Sequence, residues 1–181
     1  NVVANYFKPG PGTQSKHKTR ICSPWSRNGA ADYGDWYIAD NYLVGSPEVT
    51  ADNWKGVFPQ YTDHIPVHLA AIPGLKLDAP SRYVPINQQT AEEAYQAVLA
   101  HVGCSLPNRD VIDTRIIAEV RNGAAAKGDN GFVSSPSDAG GWPSLKGGTA
   151  PADTDQDGMP DHWEEGYGLD PTDASDNAMD K

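Results

Sequence analysis

Residues 153–164 read Asp-Thr-Asp-Gln-Asp-Gly-Met-Pro-Asp-His-Trp-Glu. Acids alternate through the first half, a glycine follows the third of them, and a glutamate closes the segment. That is the spacing of a twelve-residue, EF-hand-like calcium loop. Calcium is a hard cation that takes about six to eight oxygens, and alternate residues of a tight loop can turn their carboxylates toward one centre. Asp153, Asp155 and Asp157 would supply three ligands, and Gly158 permits the sharp turn between them and the rest. The Met159 carbonyl would add a main-chain oxygen, Asp161 a direct or water-mediated contact, and Glu164 a bidentate carboxylate. Pro160 suits the first position of the exiting helix, where a missing amide proton costs nothing. Carboxylates this close repel one another strongly without a cation. The expected cofactor is therefore Ca2+. Its role is structural rather than regulatory, because no second complete loop follows. Asp170, Asp173 and Asp176 are the remaining acids that could complete a further ion site.

Other chemistry is sparse. His17, His64, His68, His101 and His162 lack metal-ligand spacing; His64 and His68 are four apart, but Pro66 keeps them off one helical face. No Ser–His–Asp set or nucleophile elbow occurs. The carboxylates outside the tail are too scattered to nominate an acid/base pair. Trp25, Trp36, Trp54 and Trp142 could stack on sugar rings, although a place in the core is their default. Cys22 and Cys104 make neither a disulfide framework nor a zinc site. Either they pair, closing a loop of about 80 residues worth roughly 4–5 kcal/mol, or they are two buried free thiols.

The elements that must position these groups are read from period and punctuation. Residues 1–8 and 36–44 are short β-rich runs with Asn-Tyr at corresponding places, each followed by turn residues. Asparagine at a fixed place suits stacked turns, where amides bond from layer to layer and left-handed backbone is tolerated. Two ordinary antiparallel strands are the alternative. Between them, residues 13–35 form an irregular excursion carrying Lys16, His17, Lys18 and Arg20. Residues 45–89 hold Pro47, Pro59, Pro66, Pro73, Pro80 and Pro85, which forbid central strands and long helices; such a stretch wraps over a scaffold. Two helices are expected at 90–103 and 109–122, separated by Pro107. Thr90-Ala-Glu-Glu93 is a capping box ahead of an apolar stripe of Ala94, Tyr95, Val98, Leu99 and Val102. The second helix starts near Asn108 or Asp110, buries Val111, Ile112, Ile116, Ile117 and Val120, and stops at Gly123. Residues 124–150 return to Gly- and Pro-rich loop.

Charge divides the chain in the same way. Of 181 residues, 24 are acidic and 14 are Lys or Arg, a net charge of −10. Residues 151–181 hold ten of the acids and one lysine, which leaves 1–150 close to neutral. A uniformly acidic disordered chain is excluded for the larger part. Two regions are expected: 1–150, a scaffold with wrapping loops and the helical pair, and 151–181, an acidic calcium-binding tail. The lack of a large basic surface argues against nucleic acid, and no apolar run reaches the ~20 residues of a membrane span. The opening Asn1–Phe7 has neither an initiator Met nor the charged region of a signal peptide. It reads as the middle of a strand, so a processed product or fragment is expected.

Seven segments carry a resemblance: Asn1-Val-Val-Ala-Asn-Tyr-Phe-Lys-Pro-Gly-Pro11, Tyr33-Gly-Asp-Trp-Tyr37, Asn41-Tyr-Leu-Val-Gly-Ser-Pro-Glu-Val-Thr-Ala-Asp-Asn-Trp54, Ala91-Glu-Glu-Ala-Tyr95, Ser105-Leu-Pro-Asn-Arg-Asp110, Asp138-Ala-Gly-Gly-Trp-Pro143, and the acidic loop with Gly168-Leu-Asp-Pro171. In this order they resemble the C-terminal part of bacterial pectate lyases of polysaccharide lyase family 1. The resemblance implies a mainly β fold, with residues 1–45 as late coils of a right-handed parallel β-helix. It also implies secretion and action on homogalacturonan by β-elimination, in which calcium acidifies the C5 proton and an arginine removes it. That arginine and the catalytic-calcium acids of the family lie upstream of Asn1. No catalytic residue is therefore assigned, and this chain alone is expected to be inactive. Lys8, Lys16, Lys18 and Arg20 follow an expected late coil, where they could contact the acidic polysaccharide. A cut β-helix exposes an unpaired stacking face, so an N-terminal lyase segment, or self-assembly, is expected to cover it. The rival reading is a non-catalytic, calcium-stabilised extracellular module with a structural or glycan-binding role.

Overall fold

The computed structural model describes residues 1–27, 32–61, 68–106, 108–144 and 147–178. His64, Pro66 and Pro107, on which three of the readings above depend, lie outside the described residues, as does the end of the acidic tail. The chain forms two compact units, Asn1–Pro143 and Ser144–Lys181.

Among the described residues of the first unit, six short strands make three two-stranded parallel pairs. They are β1 (Val2–Val3), β2 (Tyr6–Phe7), β3 (Trp25–Ser26), β4 (Ile38–Ala39), β5 (Tyr42–Leu43) and β6 (Gln60–Tyr61), paired β1–β4, β2–β5 and β3–β6. Val2 registers with Ile38 and Tyr6 with Tyr42. Each run expected to be one strand is thus two, broken at a bend. The bends fall on Ala4 (φ 52°) and Asp40 (φ 58°), both left-handed. The asparagines that follow them stay out of that region and make the layer-to-layer bonds instead. The backbone N–H and side-chain amide of Asn5 both donate to Asn41 Oδ1 at 2.9 Å. Asn41, 1% exposed, donates from Nδ2 to the carbonyls of Val2 (2.8 Å) and Ala39 (3.0 Å) and to Asn53 Oδ1 (3.1 Å). Asn53 in turn donates to the carbonyls of Asn41 and Val49. Three amides therefore satisfy backbone groups that the bends remove from any ladder.

Ile21, Ile38, Leu43, Val49 and Val57 form the core, with Val2, Phe7, Cys22, Trp36 and Trp54 packed against it. A Cβ on Gly56 would stand 2.8 Å from Val49 and 2.9 Å from Ile21, so only glycine lets this backbone reach the core. Trp36 and Trp54 have the expected core role; Trp25 and Trp142 do not, being 51% and 85% exposed. Among its described residues, the proline-rich stretch holds short helical pieces, including α1 (Pro47–Ala51) and α2 (Ile72–Leu75), and the two-residue strand β6.

The helical pair is α3 (Ala91–His101) and α4 (Val111–Asn122). The Thr90 hydroxyl accepts from the Glu93 N–H, and Glu93 accepts from Thr90 N–H, which completes the capping box. Asp110 Oδ1 accepts from the N–H groups of Ile112 and Asp113, and Gly123 ends α4 in left-handed geometry. Arg109 joins the helices by donating from Nη2 to the Ala100 carbonyl (2.6 Å) and from Nε to that of Val102 (3.2 Å). The expected burial is largely corrected: Leu99 and Ile117 are buried, whereas Val98, Val102, Val111, Ile116 and Val120 are between 43% and 71% exposed. Instead of a continuous stripe, α3 docks through Tyr95, which stacks on Tyr6 at 4.2 Å; Tyr6 stacks on Tyr42 at 5.0 Å.

Both cysteines are free; Cys104 is exposed and Cys22 half-buried. Burial pushes the Cys22 thiol up to about 11. Iodoacetamide near about pH 8 is expected to alkylate native Cys104 and to react with Cys22 about a hundredfold more slowly. Mass spectrometry that finds both labelled at one rate contradicts this placement.

Candidate metal centre

The acidic loop lies wholly in the second unit. It leads into α5 (Asp161–Tyr167), whose N-cap is Pro160 rather than the first helical residue. Through the loop, Asp153, Asp155 and Asp157 are half-buried while Thr154, Gln156 and Gly158 are exposed. The alternation that period-two spacing demands is therefore realised. Left-handed backbone at Gln156 (φ 62°) and Gly158 (φ 100°) produces it. Each aspartate spends one oxygen on the loop: Asp153 Oδ2 accepts from Gly158 N–H, Asp155 Oδ1 from Asp157 N–H, and Asp157 Oδ1 from Met159 N–H.

The other oxygens remain. Asp153 Oδ1, Asp155 Oδ2, Asp157 Oδ2 and both oxygens of Glu164 are shielded from solvent without a hydrogen-bond partner among the described residues. Buried, unpartnered carboxylate oxygens are costly, and a cation among these five would relieve that cost. Ligand oxygens of Asp153, Asp155 and Asp157 lie within 4.8 Å of one another, and so do those of Asp157, Glu164 and Asp176. The electrostatics agree. Burial, with the charges of Asp155, Asp157, Asp176 and Asp161 added, pushes the wholly buried Glu164 carboxyl up to about 7. Burial also raises Asp155, with neighbouring Asp157, Asp153 and Asp176 contributing. An all-oxygen, anionic donor set fits a hard divalent cation and not a thiolate- or imidazole-seeking metal.

Of the six residues expected to bind metal, Asp153, Asp155, Asp157 and Glu164 present free oxygens. Asp161 does not: its Oδ1 accepts from Thr154 N–H (2.7 Å) and its Oδ2 from Thr154 Oγ1 (2.8 Å). It clasps the loop's entry to its exit. Met159 is half-buried in the loop and gives its N–H to Asp157. Asp176 approaches from beyond the twelve-residue template. The signal for it was the Gly168-Leu-Asp-Pro171 stop, which turns the chain back after α5.

The basic residues are dispersed in role. Lys8 is engaged: its Nζ donates to the Arg121 carbonyl (2.7 Å) and to Tyr95 Oη (3.2 Å), over the Tyr95 ring. Lys16 and Lys18 are exposed, and the Arg20 guanidinium lies 5.5 Å from the Phe58 ring centroid. His17 between them is lowered, first by burial and then by the charges of Arg20 and Lys16.

No protein-family model matches the chain. Sequence comparison finds similarity to proteins named as pectate lyases. The chain is similar to the protein named "Probable pectate lyase C" from Aspergillus terreus, with 31% identity over 96% of this chain and 37% of that protein. Its namesake in Aspergillus oryzae is 36% identical over 99% of this chain and 38% of that protein. The one in Aspergillus flavus is 30% identical, again over 99% of this chain and 38% of its own length. The chain thus spans little more than a third of the relatives it matches. No helix among the described residues is long and apolar enough to cross a membrane.

Proposed function

We propose that this chain is the C-terminal portion of a secreted, calcium-dependent pectate lyase that cleaves polygalacturonate. In it the chain supplies scaffold, groove contacts and a structural calcium site. The observation that carries the reading is similarity along nearly the whole chain to proteins named as pectate lyases, at 31% identity for the Aspergillus terreus protein. Parallel pairing of β1–β4 and β2–β5, with partners 36 residues apart and amides bonded between them, supports late coils of a right-handed parallel β-helix. The unpartnered oxygens of Asp153, Asp155, Asp157 and Glu164 support calcium as the resident ion, held for its contribution to the fold. Exposed Lys16 and Lys18, with Arg20 beside them in sequence, are the substrate contacts proposed here; a polyanion would reach them by electrostatic attraction. Lys8 is better assigned to anchoring α4.

The catalytic arginine and the acids of the catalytic ion belong, in this reading, to an N-terminal portion stacked on β1 and β2. Absorbance of unsaturated products on polygalacturonate with calcium tests it. The chain alone is expected to be inactive, and the chain joined to that portion active. Turnover by the chain alone would overturn the placement of catalysis elsewhere. Inactivity of the joined protein, with calcium still bound, would favour a non-catalytic extracellular module.

A further inference from the structure

We propose that Asp176, twelve residues past Glu164, binds the same cation as Asp153, Asp155, Asp157 and Glu164, so that the segment after α5 forms the closing wall of one calcium centre. The inference rests on the reading of 153–164 as a calcium loop and extends it beyond the twelve-residue template. Asp176 Oδ1 is buried without a hydrogen-bond partner, as are the free oxygens of the loop acids. A carboxylate oxygen of Asp176 lies within 4.8 Å of ligand oxygens of both Asp157 and Glu164. Two oxygens on opposite sides of one calcium, each about 2.3–2.6 Å from it, are separated by about 5 Å at most. The second observation is Glu164 itself, 0% exposed, with neither oxygen partnered. A carboxylate so placed is stabilised by a cation beside it, and an oxygen of Asp176 lies within 4.8 Å of one of its own.

The chain delivers Asp176 by construction. Gly168 (φ 75°) stops α5. Asp170 Oδ1 then accepts from Thr172 N–H and Oγ1, and Asp173 Oδ1 from Ser175 N–H and Oγ. These two acids spend an oxygen each on turns, whereas Asp176 groups with Asp157 and Glu164. Asp176 Oδ2 accepts from Asp170 N–H at 2.9 Å, which orients the carboxylate and leaves Oδ1 for the ion. With it, the unpartnered oxygens number six: one each from Asp153, Asp155, Asp157 and Asp176, and two from Glu164. Six is the lower end of calcium's usual range of about six to eight.

Calorimetric titration of the chelator-treated full chain with calcium chloride tests this. One ion is expected per chain. Asp176→Asn should weaken binding about tenfold or more, because charge count and ligand number set affinity in such sites. Asp176→Glu should recover part of that loss, Asp173→Asn should bind like wild type, and Asp157→Asn should not bind measurably. If Asp176→Asn binds like wild type while Asp157→Asn does not, the loop reading stands and the role of Asp176 is overturned. If wild type does not bind, or Asp157→Asn binds equally well, both fall. Two ions in wild type and one in Asp176→Asn would refute the shared centre. Equal losses in Asp176→Asn, Asp176→Glu and Asp173→Asn would mark a structural role for the segment and overturn the proposal.

Discussion

Chelation is expected to separate the wild-type chain from its Asp157→Ala variant: EDTA lowers the calorimetric midpoint of the first and leaves the second unmoved. Asp157 belongs to both clusters of converging oxygens, so its loss removes the ligand common to them. An ion bound to the folded state alone adds stability by mass action, about 2.7 kcal/mol when its concentration is a hundred times the Kd. Chelation withdraws that contribution and restores repulsion among the carboxylates. A pH arm sharpens the test. In the ion-free state the Glu164 carboxyl is pushed from its ordinary 4.5 up to about 7. The folded form then holds its proton more tightly than the unfolded one. The associated stability is present below the ordinary value and is lost as pH rises through about 7. In EDTA the midpoint should therefore be higher near about pH 5 than near about pH 8. With calcium the trend reverses, because carboxylate ligands bind the ion only when deprotonated. An EDTA-insensitive wild type refutes the metal assignment.

The second large effect is expected at Asn41. Replacing it with alanine removes the acceptor for both Asn5 donors and the donor to the Val2 carbonyl and Asn53, at a site 1% exposed. Each buried polar group left unpaired costs about 1–3 kcal/mol. A loss of about 3–5 kcal/mol is therefore expected in urea denaturation followed by tryptophan fluorescence, since Trp36 and Trp54 pack on the adjoining core. Asn5→Ala should cost about 1 kcal/mol, because Asn5 is exposed and water replaces what it loses. Equal effects at the two positions would mean that the amide ladder does not stabilise the stack.

The alternation of the acidic loop was readable in the sequence because its acids are local: alternate acids in a tight turn have few other geometries. What the template missed came from outside it or from competition within it. Asp161 has the spacing of a ligand, and each of its oxygens also accepts a hydrogen bond from Thr154 that the template does not foresee. Asp176 is too distant for a twelve-residue pattern to include. The helices were readable through their ends, at Thr90, Glu93, Asp110 and Gly123, where capping depends on side chains a few residues away. Their burial was not. Period says which residues share a face, but only tertiary contacts decide whether that face is covered, and Val98 and Val111 are left open. The bends at Ala4 and Asp40 carried no local warning, since alanine is seldom left-handed unless surroundings impose it. Lys8 looked like a free cation until α4, more than a hundred residues later, supplied the carbonyl it holds.

The clasp between Thr154 and Asp161 bears on the choice of ion. With its rim tied by two hydrogen bonds that no metal supplies, the loop in the proposed calcium reading is a prefabricated socket, and little chain ordering would remain when an ion arrives. Its aperture is then set by the polypeptide. A smaller ion such as magnesium, which demands tight octahedral contacts and sheds water reluctantly, gains less from a rim that cannot contract around it and would keep part of its hydration. Discrimination between the two abundant divalent ions would then follow from the clasp of Thr154 on Asp161 at the rim.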